Sequence, residues 1–130
     1  MRAEKIILIV DDNPAILDVF AILLSERYHV TVKEDVMNII KTVSENAPDL
    51  IILDKMLNSV DGCDLCSTIK KDSTYYKIPV IMISANPSAK EKCISSGASE
   101  FIEKPFSIDT VLKKVAYYLN PGSLASGEYI

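Results

Sequence analysis

Acidic side chains that could bind a metal ion follow two apolar segments of the sequence. Asp11 and Asp12 come directly after residues 6–10, and Asp54 comes directly after residues 50–53. Carboxylates held close together repel each other, and a divalent cation relieves this repulsion. Mg²⁺ prefers a shell of oxygen atoms made of one or two carboxylates and several waters. The three residues therefore predict a Mg²⁺ (or Mn²⁺) site with room for phosphate oxygens.

A hydroxyl and an amine follow two further apolar segments. Ser84 comes after residues 80–83, and Lys104 lies two residues beyond the pair at 101–102. Lys104 would place a positive charge beside a phosphoryl group, and Ser84 would hydrogen-bond to that group. One carboxylate could then act as a nucleophile while a metal ion neutralises the developing charge. The set predicts phosphoryl transfer to an aspartate.

Each of these residues also has an ordinary structural interpretation. An aspartate after a strand usually closes a turn or caps a helix, which would account for Asp11 and Asp12 taken alone. Ser84 alone would be a turn residue, and Lys104 alone would be a solvated side chain. Their occurrence together at the ends of four apolar segments favours a shared site.

The elements that must position these residues alternate along the chain. Strands are expected at residues 6–10, 30–32, 50–53, 80–83 and 101–102, and helices near 14–27, 36–46, 62–72, 88–96 and 107–119. Several strands are apolar at successive positions, which is typical of parallel strands covered by helices on both faces. The alternation predicts a doubly wound α/β fold with five strands and five helices. Ligands of such folds bind beyond the carboxyl ends of the strands, where the candidate residues fall.

Local signals mark several helix ends. Asn13, followed by proline, and Ser107 are expected to cap the first and last helices. Ser88 and Glu91 have the spacing of a capping box for the fourth helix, and Gly97 can take the left-handed conformation that ends it.

Composition and charge fit one globular domain. The chain of 130 residues has the length of a single domain, which we place at residues 1–120, with a flexible tail or linker at 121–130. The net charge of −4 and the pI of about 4.9 argue against direct nucleic-acid binding. The sequence shows no signal-peptide pattern and no apolar run of roughly 20 residues that could span a membrane. A cytoplasmic location without membrane contact is expected.

Three cysteines are then expected to be reduced thiols. Cys63 and Cys66 have the C-x-x-C spacing of some redox and metal sites. They fall within the expected third helix, so we interpret them, like Cys93, as small buried apolar residues.

The motifs around the candidate residues resemble the receiver domain family of response regulators, which act in two-component signalling and include the chemotaxis regulators. The similarity runs over about residues 5–119. The matching motifs, in chain order, are ILIVDDN at 7–13, PDLIILD at 48–54, DG at 61–62, IPVIMISA at 78–85 and GASEFIEKPF at 97–106. The resemblance implies a flavodoxin-like (βα)5 fold, with the strand order 2-1-3-4-5.

The resemblance also implies a role for each site residue. Asp54 would take a phosphoryl group from a phosphohistidine of a sensor histidine kinase or a histidine phosphotransfer protein. Asp12, Asp54 and the backbone carbonyl of Met56 would bind Mg²⁺, and Asp11 would act on the metal mainly through water. The product would be an aspartyl phosphate.

Phosphorylation in this family switches a protein-binding face. Ser84 and Ala85 would bind the phosphoryl group, and the aromatic side chain of Phe101 would turn inward. This change reshapes the face formed by the fourth helix, fifth strand and fifth helix, which would bind a downstream protein or output domain, or a second copy of the chain. The resemblance further implies a cis peptide bond between Lys104 and Pro105.

The first helix is where the family docks its histidine-bearing partners. Ile22 projects away from the expected core face of this helix, and Val19 lies at its margin. We therefore expect Val19 and Ile22 to contribute to docking.

The leading interpretation is a phospho-accepting receiver domain, either standing alone or part of a larger kinase or regulator. It is expected not to be a metabolic enzyme, beyond assisting its own phosphorylation and dephosphorylation. A pseudo-receiver that is never phosphorylated is one alternative. An aspartate-nucleophile phosphohydrolase is another, although Met56 stands where such enzymes carry an acid/base aspartate. A flavin-binding protein of the same fold would need a phosphate loop rich in Ser, Thr and Gly, which the sequence lacks after the first strand.

The sequence departs from the family pattern near the acceptor. Asn58 stands where the family often has proline, which predicts a more mobile loop. Lys55 adds a charge beside Asp54, and Phe101 lacks the hydroxyl of a tyrosine.

Overall fold

The structure is a computed structural model and describes residues 4–120. Within that range, seven strands and five helices follow one another. They are β1 (Ile6–Val10), α1 (Pro14–Leu24), β2 (His29–Lys33), α2 (Ile39–Asn46), β3 (Leu50–Asp54), β4 (Met56–Leu57), β5 (Val60–Asp61), α3 (Gly62–Lys71), β6 (Val80–Ser84), α4 (Lys90–Ser95), β7 (Glu100–Glu103) and α5 (Ile108–Leu119). The tail predicted at 121–130 lies outside the described residues.

Five strands form one parallel sheet in the order β2-β1-β3-β6-β7. Since β6 and β7 are the fourth and fifth strands of this sheet along the chain, the order is the predicted 2-1-3-4-5, and the doubly wound α/β fold is confirmed. Val10 pairs with Leu53, and Ser84 pairs with Glu103. The carboxyl ends of four strands therefore line up at one edge of the sheet.

Helices cover both faces of the sheet. All five residues of β3 and all five of β6 are buried, which explains their uninterrupted apolar sequences. Successive side chains of a strand point to opposite faces. Leu8 and Ile51 accordingly pack in one core cluster with residues of α2, α3 and α4, whereas Ile7 and Ile52 pack in another with residues of α1 and α5.

Several predicted helix ends are confirmed. The Asn13 side chain accepts a hydrogen bond from the N–H of Ala15, and the Ser107 side chain accepts one from the N–H of Thr110. Gly97 follows α4 with a φ of +107°, in the region that glycine adopts without steric cost.

Other helix ends differ from the prediction. Helix α1 ends at Leu24 rather than near residue 27, and the chain continues in a turn in which the carbonyl of Leu24 accepts from the N–H groups of Arg27 and Tyr28. Helix α2 begins at Ile39 rather than residue 36, because the Asn38 side chain caps it.

The predicted capping box at Ser88 is wrong. The Asn86 side chain accepts hydrogen bonds from the N–H and the hydroxyl of Ser88. Asn86 thereby opens a 3-10 turn at Pro87–Ala89, and α4 continues from this turn without a side-chain cap of its own.

A short antiparallel hairpin follows β3 and was not predicted. Its strands β4 and β5 pair Met56 with Asp61 and Leu57 with Val60. Asn58 begins the turn between them with a φ of +48°.

Candidate functional site

The three acidic residues converge at the carboxyl edge of the sheet. Asp11, Asp12 and Asp54 each offer a carboxylate oxygen, and these oxygens lie within 4.8 Å of one another. The pairing of Val10 with Leu53 explains this, because the residues that follow in β1 and β3 must lie side by side. Asp11 and Asp54 are only 2% and 7% exposed, and Asp12 is half-buried. A compact set of carboxylate oxygens suits a hard cation such as Mg²⁺.

Lys104 reaches this cluster from the loop between β7 and α5. Its Nζ lies 3.4 Å from Asp11 Oδ2 and 3.5 Å from Asp54 Oδ2. Its backbone N–H donates to the Ser84 carbonyl at 2.9 Å, which holds the loop against β6. The Lys104–Pro105 peptide bond is cis, as the resemblance implies. The lysine is therefore a partner of two buried carboxylates and not a solvated side chain.

The buried position of Asp54 affects its acidity. Burial raises the pKa of Asp54, and the carboxylate of Asp11 raises it further, whereas the Lys104 amine and a hydrogen bond from the Met56 N–H lower it. The net direction is upward, because desolvation and like-charge repulsion both disfavour the ionised form. A cation placed among the three carboxylates would reverse that balance.

Backbone amides orient the three carboxylates. The loop after β1 supplies one donor, and the β4–β5 hairpin supplies two. Asn13 donates to Asp11 Oδ1 at 2.9 Å, Met56 to Asp54 Oδ1 at 3.4 Å, and Asn58 to Asp12 Oδ2 at 2.9 Å. The role of the Met56 carbonyl as a metal ligand stays a prediction.

The predicted switch residues lie in or directly after the two strands that follow β3 in the sheet, and Ser84 comes directly after Ile83, the partner of Asp54. Ser84 is buried, and its Oγ accepts the N–H of Asn86 at 3.1 Å. Because Oγ is the acceptor in that bond, its own O–H is available to donate. Ala85 is exposed at the end of β6. Phe101 is half-buried and packs against the core cluster on the α2, α3 and α4 side of the sheet.

A charged network that residue types and spacing did not predict follows Asp54 in the chain. Asp61 Oδ2 lies 3.1 Å from Lys55 Nζ and 2.7 Å from Lys92 Nζ, and Asp61 Oδ1 accepts the N–H of Cys63. Partial burial acts to raise the pKa of Asp61, but the hydrogen bonds from Lys92, Cys63 and Lys55 outweigh it and hold the pKa well below its usual range. The Lys55 amine is thus paired with Asp61, which lies at the start of α3.

The predicted docking residues are exposed on α1. Val19 is 41% exposed and Ile22 is 75% exposed. Val19 also lines a groove of about 460 Å³ that Ile16, Ala85, Lys104, Pro105 and Phe106 complete. The ring of Phe106 stacks on that of Phe20 at a centroid distance of 5.2 Å, which joins the groove to the core beneath α1.

The cysteines behave as core residues. All three are free and buried. Cys63 Sγ lies 3.7 Å from Cys93 Sγ, so the nearest thiol contact joins α3 to α4 and does not follow the C-x-x-C spacing. Burial and the adjacent Cys63 raise the pKa of Cys93 to about 12, which keeps this thiol protonated at neutral pH.

Comparison with known proteins agrees with this geometry. The family model described as the response regulator receiver domain matches residues 7–116. The DNA-binding dual master transcriptional regulator RpaA of Synechocystis is 37% identical over 112 residues, a match that covers 84% of this chain and 46% of that protein. The chain spans less than half the length of the first curated relatives that it matches.

Two solved receiver domains are similar over nearly their whole length. That of NtrX from Brucella abortus is 34% identical with a TM-score of 0.77, covering 87% of this chain and 97% of that one. That of the sensor histidine kinase PA1611 from Pseudomonas aeruginosa was solved with a magnesium ion in its active site cleft. It is 25% identical with a TM-score of 0.80, covering 89% of this chain and 98% of that one.

None of the helices between residues 4 and 120 has the length and apolar character needed to cross a membrane.

Proposed function

We propose that Asp54 is the phosphorylated residue of this chain, which belongs to the response regulator receiver domain family of two-component systems. The observation that carries the proposal is the position of Asp54. Its carboxylate is buried beside two further carboxylates and lies 3.5 Å from the Lys104 amine. This combination of a nucleophile, a cation site and a fixed positive charge matches what phosphoryl transfer to a carboxylate requires.

The phosphoryl donor would be a phosphohistidine of a sensor histidine kinase or a histidine phosphotransfer protein. An oxygen of Asp54 attacks the phosphorus atom, a P–O bond forms, the P–N bond breaks, and the imidazole leaves with the bonding electron pair. Lys104 stabilises negative charge on the transferred group. The Ser84 hydroxyl can donate to the bound phosphoryl group.

Mg²⁺ is the proposed cofactor, held by Asp12, Asp54 and the Met56 carbonyl, with Asp11 acting through water. When bound, it neutralises the charge that builds up on the phosphoryl oxygens. The carboxylates fit this ion because they offer oxygen atoms within 4.8 Å of one another, and Asp12 is only half-buried.

We further propose that the chain acts by protein contact. Val19 and Ile22 would dock the phosphohistidine-bearing partner beside the groove that Val19 and Lys104 line. The exposed side chains of Ile94, Ile108 and Leu112 belong to α4 and α5, and with β7 these helices form the face proposed to bind an output partner or a second copy. The chain would assist its own phosphorylation and hydrolysis without being a metabolic enzyme. Its cytoplasmic location stays a prediction.

The test is incubation with acetyl phosphate and Mg²⁺, followed by intact mass measurement. We expect an added mass of one phosphoryl group that hydroxylamine removes, and that is absent from Asp54→Asn. Asp64→Asn is the matched control, because Asp64 is an exposed aspartate of α3. If neither acetyl phosphate nor a phosphorylated histidine partner labels the unmodified chain, the proposal fails and the pseudo-receiver interpretation replaces it.

A further inference from the structure

Helix α4 has little packing of its own to hold it in place. It is six residues long and lacks a side-chain cap at its start. Among the helices between residues 4 and 120 it has the fewest buried residues, since Cys93 alone is buried within it. Helices this short are marginally stable in water and depend on tertiary contacts. The contacts of α4 with its neighbours therefore decide where it lies.

One of these neighbours is the start of α3. Cys93 Sγ lies 3.7 Å from Cys63 Sγ. Beside this contact, Lys92 Nζ lies 2.7 Å from Asp61 Oδ2. Asp61 is held from the α3 side, because its side chain accepts hydrogen bonds from the Cys63 N–H and from the Lys55 amine. The ion pair thus fastens α4 to a residue that cannot follow the helix if it moves.

A second connection joins α4 to the proposed phosphorylation site. Ser84 Oγ accepts the N–H of Asn86 at 3.1 Å. Asn86 in turn opens the 3-10 turn at Pro87–Ala89, which runs directly into α4. The Ser84 hydroxyl is proposed to donate to the phosphoryl group on Asp54. Any shift of Ser84 toward that group therefore pulls on the segment that leads into α4.

The position of α4 in this structure accompanies a free Asp54 carboxylate. Both carboxylate oxygens accept hydrogen bonds, Oδ1 from the N–H of Met56 at 3.4 Å and Oδ2 from the Lys104 amine at 3.5 Å. Attachment of a phosphoryl group to either oxygen must change these contacts. In an element with two positions, a contact that is made in only one of them opposes any ligand that favours the other.

We propose that the ion pair between Lys92 and Asp61 holds α4 in the position that accompanies the free Asp54 carboxylate, and so opposes occupation of the site by a phosphoryl group. This inference rests on the phosphorylation in the proposed function and concerns how its equilibrium is set. Loss of the pair should therefore tighten binding at the site. A contact that only supported the fold would have the opposite effect, because its loss would weaken binding.

The experiment measures the binding of beryllofluoride, which mimics a phosphoryl group on a carboxylate, to the full chain in excess Mg²⁺ by fluorine NMR. Lys92→Met removes the charge and keeps an unbranched side chain. We expect it to bind beryllofluoride about two- to fivefold more tightly than the unmodified chain, the factor that a partly exposed ion pair contributes. Lys92→Arg retains a cation that can pair with Asp61 and should bind as the unmodified chain does.

Two controls identify the ion pair as the cause. Lys90→Met removes an exposed charge from the same helix and should not tighten binding. In Asp61→Asn, which has already lost the pair, Lys92→Met should add no further gain. A gain of equal size in that background, or in Lys90→Met, would overturn the inference. Unchanged or weaker binding by Lys92→Met would overturn it as well.

The inference and the proposed function can fail separately. If the unmodified chain neither binds beryllofluoride nor takes a label from acetyl phosphate, the proposed phosphorylation of Asp54 fails and the inference fails with it. If the unmodified chain binds beryllofluoride and Lys92→Met binds it equally well, Asp54 remains the proposed acceptor and only the role given to Lys92 is wrong.

Discussion

Lys92 Nζ lies 2.7 Å from Asp61 Oδ2, and this contact joins α4 to the residue that caps α3. The same oxygen holds the Lys55 amine, whose side chain is only 15% exposed. Asp61 therefore connects the residue after the acceptor to a helix of the proposed switch face.

Replacing Asp61 tests the strength of this connection. Asparagine can still cap a helix, so Asp61→Asn removes the charge and keeps the cap. We expect Asp61→Asn to lower the free energy of unfolding by about 1 kcal/mol at pH 7, which is in the range of single ion pairs that are partly screened by solvent. Because the pKa of Asp61 is below its ordinary 3.8, its charge stabilises the fold above that value, and the benefit disappears as the pH falls below it.

Urea unfolding at pH 7, 5, 4 and 3 checks this expectation. The difference in the free energy of unfolding between the unmodified chain and Asp61→Asn should be constant at the higher pH values and should shrink below about pH 4. A difference that does not change with pH would show that the charge of Asp61 is not responsible. Lys92→Ala should have a smaller effect, since the Lys92 side chain is 60% exposed.

Gly62 is expected to be essential for the geometry of the acceptor. A Cβ atom at this position would overlap with the carbonyl oxygen of Asp54 and lie 3.0 Å from Lys55 Cα. Gly62→Ala must therefore displace the end of β3, which we expect to cost roughly 1–3 kcal/mol and to slow labelling by acetyl phosphate at least about tenfold.

Gly97→Ala is the comparison variant for that experiment. Its Cβ would meet the side chain of Lys70, and its φ of +107° is strained for alanine. It should lose stability but label at an undiminished rate, because Gly97 comes just before β7 and so lies at the amino edge of the parallel sheet, opposite the carboxyl edge that holds Asp54. Equal rates in both variants would show that Gly62 has no special role in placing the acceptor.

Lys104 should contribute most to the stability of the fold when no cation is bound. Lys104→Met leaves Asp11 and Asp54 buried without the amine that contacts both, and removing one partner of a buried ion pair costs up to about 3–5 kcal/mol. Mg²⁺ should restore part of this loss, so it should raise the melting temperature of Lys104→Met more than that of the unmodified chain. Lys113→Met, which removes an exposed i,i+4 partner of Asp109, is the control. It should change neither the stability of the metal-free chain nor the rise in melting temperature that Mg²⁺ causes.

The exposed apolar residues of α1 should affect only transfer from a protein donor. Ile22→Lys is expected to slow phosphotransfer from the cognate histidine-bearing partner about tenfold, because a charge replaces a side chain that is 75% exposed and proposed to be buried on docking. Labelling by acetyl phosphate should be unaffected. Ile94→Lys, an exposed apolar position on α4, is the control. An unchanged transfer rate in Ile22→Lys would remove this residue from the docking surface.

The sheet and the carboxylate cluster could be predicted because both follow from periodic patterns. Buried strands such as β3 have uninterrupted apolar residues, and the residue that ends each strand must lie at the shared carboxyl edge. Asp54 and Lys104 could therefore be placed near each other without coordinates.

The contacts of the loops could not be predicted in the same way. Asn86 and Ser88 are both residue types that cap helices well. Only the structure shows that Asn86, and not Ser88, is the capping residue. The hairpin after β3 is two residues long on each side, too short to leave a periodic signal. The contacts of Lys92 with Asp61 and of Asn58 with Asp12 join distant parts of the chain through single atoms, and nothing in residue type or spacing specifies them.

The wide spacing of the site along the chain has a consequence for protein synthesis. Asp11 and Lys104, which make contact in the structure, are 93 residues apart. The amine can reach the carboxylates only after the last strand of the sheet has docked beside β6. A nascent or misfolded chain, although it already contains Asp54, therefore lacks the arrangement proposed to accept a phosphoryl group, and only folded molecules would compete for the proposed donor.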